Sequence, residues 1–154
     1  MFLTYDDLAG IFPKSSGIRD YSLSFRTVSF LAETLQPKGL YIPMLDQVED
    51  LQTAIANGAV AAIWLEGREI PTYTPNHFPI FYTDNLIEGI KKILYQYKTK
   101  IQNIELENGI ITNFTFFENK VPEEYYQKTD IVEIEDQWKI ILDTIIKKGG
   151  KENA

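Results

Sequence analysis

The sequence predicts a single α/β domain, residues 1–154, in which a mixed β-sheet is flanked by helices. The chain has 154 residues, of which 44% are hydrophobic, which suits one core rather than two. Short apolar segments typical of strands alternate with amphipathic helical patterns over residues 39–65 and again over residues 80–100. Strands and helices that alternate with short connections favour parallel strands with covering helices.

The N-terminal residues predict a helix followed by a strand. Thr4, with Asp7 three residues later, forms a candidate capping pair, and Pro13 is expected to end the helix. Residues 21–25 then alternate between apolar and polar side chains, which predicts one half-exposed strand that continues toward Phe30.

The middle of the chain predicts two strand-helix pairs. Residues 40–42 form a short strand, and Asp46 with Glu49 is a candidate capping pair for a helix that ends at Gly58. Residues 59–65 and 80–82 read as buried strands. Asp84 is expected to start the second helix, whose apolar stripe consists of Leu86, Ile90, Ile93, Leu94 and Tyr97.

The C-terminal third predicts an added β-hairpin and helix. Asn108-Gly109 lies between two β-rich segments and is a strong hairpin signal, so antiparallel strands are expected from Ile101 onward. A helix is expected to begin at Asp136, with an apolar stripe formed by Trp138, Ile141, Leu142, Ile145 and Ile146. Residues 101–148 should pack on residues 1–100, and residues 149–154 read as a polar tail.

Charge and composition limit the partners. The net charge of -7 argues against a non-specific nucleic-acid binder, and an anionic ligand would need a local basic patch. The chain has no cysteine, which excludes disulfides and Cys-type zinc sites and fits a cytoplasmic protein. We find no signal-peptide pattern and no apolar run long enough for a bilayer, so no membrane association is expected.

Three segments resemble the N-terminal, substrate-binding domain of Mur ligases of the MurE and MurF type. Residues 37–43, Pro-Lys-Gly-Leu-Tyr-Ile-Pro, match a Pro-Gly-Asp-Leu-Phe-Val-Ala element; residues 57–61 match a Gly-Ala strand, and residues 82–85 match a strand-to-helix turn. The resemblance covers roughly the first two thirds of the chain. It implies a Mur ligase N-terminal-domain-like fold and a UDP-linked cell-wall precursor as ligand.

The resemblance leaves two alignments for the ligand-binding residues. Without gaps, Leu31-Ala32-Glu33 falls on the family's Asp-Ser-Arg; with an insertion, Ser24-Phe25-Arg26 falls there. The second alignment makes Ser24, Arg26 and Thr27 the expected ligand-binding residues. The family's Asp-Gly-His loop has no counterpart, because only Met44-Leu45 separates Pro43 from Asp46.

Other candidates for chemistry have simpler interpretations. His77 is the only histidine, so a three-histidine metal site is excluded, and because it lies in a predicted loop between Pro75 and Pro79 we expect no Ser-His-Asp site. The aromatic residues Phe114, Phe116 and Phe117 form either a binding face or, as we favour, part of the core. Three basic residues either form a basic cluster or are isolated cations on the surface: Arg19, Arg26 and Lys38. We therefore expect no catalytic residue, no metal and no cofactor.

Three functions remain open. The Mur ligases carry their ATP chemistry in a separate domain with a glycine-rich loop that ends Gly-Lys-Thr or Gly-Lys-Ser, and these 154 residues contain no such loop. We therefore expect a non-catalytic, stand-alone binding module for a UDP-sugar-like metabolite or a protein partner. The alternatives are a recognition subunit for a separately encoded ligase and a structural or regulatory interaction protein.

Overall fold

Eight strands and three helices make up the part of the chain for which the structure gives element bounds. The computed structural model describes residues 2–43, 50–102, 111–115, 133–134, 136–141 and 143. The elements in chain order are β1 (Leu3–Thr4), α1 (Tyr5–Ile11), β2 (Ser15–Ser16), β3 (Ser24–Phe25), β4 (Thr27–Ser29), β5 (Gly39–Tyr41), α2 (Asp50–Ala56), β6 (Ala59–Leu65), β7 (Ile80–Thr83), α3 (Leu86–Gln102) and β8 (Asn113–Thr115). Residues 133–134, 136–141 and 143 are also helical and are called the C-terminal helical residues.

The main sheet has six strands in the order β2-β7-β6-β5-β4-β8. Its pairs β8 with β4, β4 with β5, β5 with β6 and β6 with β7 are parallel, whereas β2 pairs antiparallel with β7 at one edge. β1 and β3 form a separate antiparallel pair. The prediction of an α/β domain with a mixed sheet flanked by helices is therefore confirmed.

Helices cover both faces of this sheet. On one face, buried side chains of α1, α3 and the C-terminal helical residues pack with Val28, Leu40 and Ile63 of the strands. On the other face, Leu51 and Ala54 of α2 pack with Tyr41, Ala62 and Trp64. The apolar stripe predicted for the second helix is confirmed on α3, where Ile90, Ile93, Leu94 and Tyr97 are buried.

Local signals locate most helix ends. α1 has the predicted capping box, in which Asp7 N donates to Thr4 Oγ1 over 3.2 Å and Thr4 N donates to Asp7 Oδ2 over 2.9 Å. α3 begins later than expected, because the capping acceptor is Asn85 Oδ1, which lies 3.1 Å from Glu88 N, and not Asp84. Gly58 follows α2 with φ of 112°, as predicted. Asp46 and Glu49 lie outside the described residues.

The single strand predicted from Tyr21 toward Phe30 is wrong. The chain forms two strands there, β3 and β4, which belong to different sheets and are separated by Arg26. Residues 27–30 are all buried because β4 lies inside a parallel sheet, so they do not alternate between faces. Tyr21 is 60% exposed and lies outside any strand.

In the C-terminal third, the strand expected to begin at Ile101 is wrong, whereas the predicted hairpin stays a prediction because its turn lies outside the described residues. Ile101 belongs to α3 rather than to a strand, and β8 pairs in parallel with β4. A helix between two strands returns the chain in the same direction, so a parallel pair is the physical consequence of α3. Asn108-Gly109 and residues 149–154 lie outside the described residues. Residues 133 and 134 are already helical, so helical structure begins before Asp136.

Candidate functional site

The residues that the gapped alignment selects lie at the amino end of β4. Thr27 is 6% exposed, and its hydroxyl donates to Pro37 O over 3.1 Å. Arg26 is exposed, and its guanidinium carbon lies 5.6 Å from the centre of the Phe2 ring. Ser24 is half-buried in β3. Ligand binding by Ser24, Arg26 and Thr27 stays a prediction, and the Thr27 hydroxyl already has a partner within the protein.

The residues that the ungapped alignment selects lie at the opposite end of β4. Leu31, Ala32 and Glu33 follow Phe30 at the carboxyl end of the strand. Ligands of parallel sheets bind at this edge, so the position suits a ligand loop. The side chains do not suit a diphosphate, because Ala32 is buried and apolar and Glu33 is an exposed acidic residue that offers a phosphate no cation.

A groove of two adjoining cavities opens at the same edge of the sheet, where β6 and β7 end. The inner cavity has a volume of 230 Å³ and is lined by Ile11, Phe12, Pro13, Lys14, Glu66, Tyr82, Thr83, Asp84 and Lys92. The outer cavity has a volume of 420 Å³ and is lined by Gly10, Ile11, Lys91, Lys92, Tyr95 and Gln96. Because Ile11 and Lys92 line both cavities, we treat them as one site, the α1–α3 groove.

The sequence builds this groove from the outer side of α3. The helical period that directs Ile93, Leu94 and Tyr97 into the core leaves residues 91, 92, 95 and 96 together on the opposite side. The end of α1 approaches α3 closely, because a Cβ atom on Gly89 would lie only 3.2 Å from the Phe12 ring. Glycine at position 89 therefore permits the contact that forms one wall of the groove.

Lysine side chains give the groove a positive centre. Lys14 Nζ lies 2.8 Å from Glu66 Oε1, and this hydrogen bond, with the charges of Glu66 and Asp84, raises the pKa of Lys14. Lys91 Nζ lies 3.9 Å from Glu88 Oε1 and 3.8 Å from Glu133 Oε2, which are long distances for ion pairs. Lys92, where the cavities join, forms no ion pair with any residue that the structure describes.

Charge balance distinguishes the groove from the rest of the chain. The chain has a net charge of -7, yet three lysines and two acids line the groove. Lys14 is paired with Glu66, and Lys91 lies 3.9 Å from Glu88 and 3.8 Å from Glu133, so the cation of the groove that is left to attract an anion is Lys92. Carboxylates at Glu66 and Asp84 accept hydrogen bonds from hydroxyl or amino groups, so the inner cavity suits a polar ligand that also carries an anionic group.

The remaining sequence candidates lie apart from this groove. His77 is exposed in a loop, where its carbonyl accepts a hydrogen bond from Ile18 N over 3.0 Å. Phe114 is buried against Tyr97 and Trp138, so its assignment to the core is confirmed. Phe116 and Phe117 lie outside the described residues. Within the described ranges, no cluster of three or more His, Asp or Glu side chains is arranged to hold a metal ion.

Sequence reasoning missed the contribution of Lys14, Lys92 and Tyr95. The apolar stripe of α3 already indicated that residues 92 and 95 face outward, but it contained no signal that the end of α1 lies opposite them.

No protein-family model matches the chain, and no curated protein matches its sequence. Among the helices that the structure describes, none has both the length and the apolar character needed to cross a membrane.

Proposed function

We propose that this chain is a non-catalytic binding domain that resembles the substrate-binding domain of Mur ligases and binds a UDP-linked sugar or peptide precursor in the α1–α3 groove. The observation that carries the proposal is Lys92, a cation without an ion pair among the described residues, in a groove at the carboxyl edge of the sheet. The order of the matching segments supports the resemblance. Residues 37–43 contain β5, residues 57–61 lead into β6, and residues 82–85 join β7 to α3.

The dimensions of the groove fit a ligand of this class. The outer cavity is an open depression of 420 Å³, a volume within the range of about 300–1,000 Å³ that small-molecule sites in proteins have. A diphosphate requires cations within hydrogen-bond reach; Lys92 lines both cavities, and Lys91 lines the outer one. The groove therefore has space for a ligand that extends on both sides of a central anionic group.

Titration of a UDP-muramoyl peptide tests this site against the one expected from the gapped alignment. Replacing Lys92 by Ala should weaken binding by about 1.5–3 kcal/mol, because a charge-assisted hydrogen bond is lost. Arg26→Ala should leave binding unchanged. Lys98→Ala is the matched control, since Lys98 is an exposed lysine of α3 that does not line the groove. Calorimetry measures all four affinities.

The outcomes separate the alternatives. A loss confined to Arg26→Ala would move the ligand to the amino end of β4, and equal affinities for all variants would exclude both sites. If the wild-type protein bound no UDP-linked precursor, the proposed function would be wrong.

The protein is also expected neither to bind nor to hydrolyse Mg-ATP, because the chain has no glycine-rich turn for the β- and γ-phosphates. Calorimetry should detect no ATP binding, and a phosphate-release assay should detect no hydrolysis.

A further inference from the structure

We infer that Asn57-Gly58, between α2 and β6, is a deamidation site that the fold keeps unreactive. It reacts when residues 30–38, the crossover segment between β4 and β5, detach from it. Gly58 N attacks Asn57 Cγ and closes a succinimide ring, while Nδ2 takes the Gly58 amide proton and leaves as ammonia. Water then opens the ring at either carbonyl, which produces aspartate or isoaspartate at position 57. Neither residue lines the α1–α3 groove, so this chemistry does not depend on the proposed ligand.

The fold requires both residues of this reactive pair. Glycine has no Cβ atom to obstruct the attack of its backbone nitrogen, so Asn-Gly is the most reactive pair for deamidation. Gly58 has φ of 112°, and a Cβ atom there would lie 2.7 Å from Gln36 O. Asn57 Nδ2 donates to Ala32 O over 2.9 Å, a bond that needs a side-chain donor. Replacement of either residue would therefore disturb the contact with the crossover segment.

Hydrogen bonds hold both reacting groups apart in the folded chain. The bond to Ala32 O fixes the Asn57 side chain, so Cγ does not approach the backbone nitrogen. Gly58 N donates to Ile55 O over 3.1 Å, which retains the proton that this nitrogen must lose during the attack. Asn57 O accepts a hydrogen bond from Gln36 N over 2.9 Å. The crossover segment therefore restrains both the side chain and the backbone of Asn57.

The crossover segment depends on one buried side chain for its conformation. Residues 30–38 contain neither helix nor strand. Gln36 is fully buried, and its Nε2 donates to Leu31 O over 2.9 Å and to Thr34 O over 3.2 Å. Gln36 Oε1 and Thr34 Oγ1 have no hydrogen-bond partner within the described residues. Because such buried atoms regain partners in water, this segment should open at a lower free energy than the core strands.

Deamidation rates, followed by peptide mass spectrometry at mildly alkaline pH, test the protection of Asn57. In urea, Asn57 should react as fast as Asn108, since Asn108-Gly109 is the other Asn-Gly pair of the sequence. In the folded protein, Asn57 should react at least about tenfold more slowly than in urea, because only the fraction of molecules with an open segment reacts.

Gln36→Ala tests whether the crossover segment controls this rate. The substitution removes the amide that donates to Leu31 O and Thr34 O, so Asn57 should react about tenfold faster than in the folded wild type. Gln52→Ala is the matched control, because Gln52 is an exposed glutamine of α2 that lies outside the crossover segment. Its rate should equal that of the wild type.

Asn57→Asp reproduces one product of the reaction. It should lower the melting temperature, because a carboxylate replaces the donor that binds Ala32 O. Asn85→Asp is the matched control. Asn85 contributes only the acceptor Oδ1 to Glu88 N at the start of α3, and aspartate keeps that acceptor, so the melting temperature should not fall.

The outcomes that would overturn the inference are distinct. Equal rates at Asn57 in urea and in the folded protein would show that native contacts give no protection, and no reaction in urea would show that the pair is not a deamidation site. An unchanged rate in folded Gln36→Ala would assign the protection to another part of the chain. Thermal melts establish which variants are folded, and Ser29→Ala, which removes the hydroxyl bonded to Leu31, replaces Gln36→Ala if that variant unfolds. A melting temperature of Asn57→Asp equal to that of the wild type would mean that the bond to Ala32 O contributes nothing.

Discussion

Replacing Trp138 by Ala is expected to lower the free energy of unfolding by about 3–5 kcal/mol, the usual effect of removing a large aromatic side chain from a core. Trp138 is 4% exposed, and the centre of its ring lies 4.4 Å from that of Phe114 in β8. Phe114 in turn contacts Tyr97 of α3. The substitution should therefore weaken the attachment of the C-terminal helical residues to the sheet, which urea denaturation followed by circular dichroism measures.

Ile140 provides the matched control for Trp138. It belongs to the same helical residues but is 61% exposed, so Ile140→Ala should change the free energy of unfolding by no more than about 0.5 kcal/mol.

Truncation after Lys100 is expected to impair solubility, because it removes β8 from the edge of β4. A soluble fragment of residues 1–100 with an unchanged melting temperature would show that the C-terminal third is an independent appendage.

Thr112→Val is expected to be the second most damaging single change. The Thr112 hydroxyl accepts a hydrogen bond from Leu3 N over 2.8 Å and donates one to Phe25 O over 2.6 Å, and the residue is fully buried. Each buried group left without a partner costs about 1–3 kcal/mol. Thr112→Ser keeps the hydroxyl and should retain most of the stability. Equal destabilisation of both variants in urea would mean that the methyl group, not the hydrogen bonds, matters.

The same cluster predicts a dependence on alkaline pH. Tyr97 OH accepts a hydrogen bond from Thr112 N over 2.8 Å, and burial raises the pKa of the Tyr97 phenol above 10.0. A raised pKa in the folded state means that the stabilisation is complete below the unfolded value and is lost as pH rises through the folded value. Above about pH 10, the free energy of unfolding should therefore fall less steeply with pH for Tyr97→Phe than for the wild type. Identical slopes would contradict this assignment.

Local sequence patterns predicted most helices and strands but not which strands pair with each other. The capping box of α1 and the apolar stripe of α3 depend on residues three or four apart, so the sequence shows them directly. The division between β3 and β4 depends on pairing with β1 and β5, which no local alternation encodes. The parallel pairing of β8 with β4 follows from the return of the chain after α3 and likewise has no local signal in the sequence.

In the candidate site, too, the sequence encodes the local features but not the contacts between distant elements. The outward positions of Lys92 and Tyr95 follow from the period of α3, and the need for a local basic patch follows from the net charge of -7. The wall opposite them depends on how closely α1 approaches α3, which Gly89 and Phe12 determine in three dimensions. The residues that the gapped alignment selects, 24–27, lie at the other end of β4.

The pairing of β8 with β4 has a consequence for how the chain folds during synthesis. The hydrogen bond between Leu3 N and Thr112 Oγ1 joins residues 109 positions apart, and β4 gains its second neighbour only when β8 arrives. Contacts between distant residues form slowly, because a long loop must close before they stabilise the fold. A nascent chain that ends before Thr112 therefore exposes one edge of β4, and we expect chaperone binding to persist until that residue has left the ribosome.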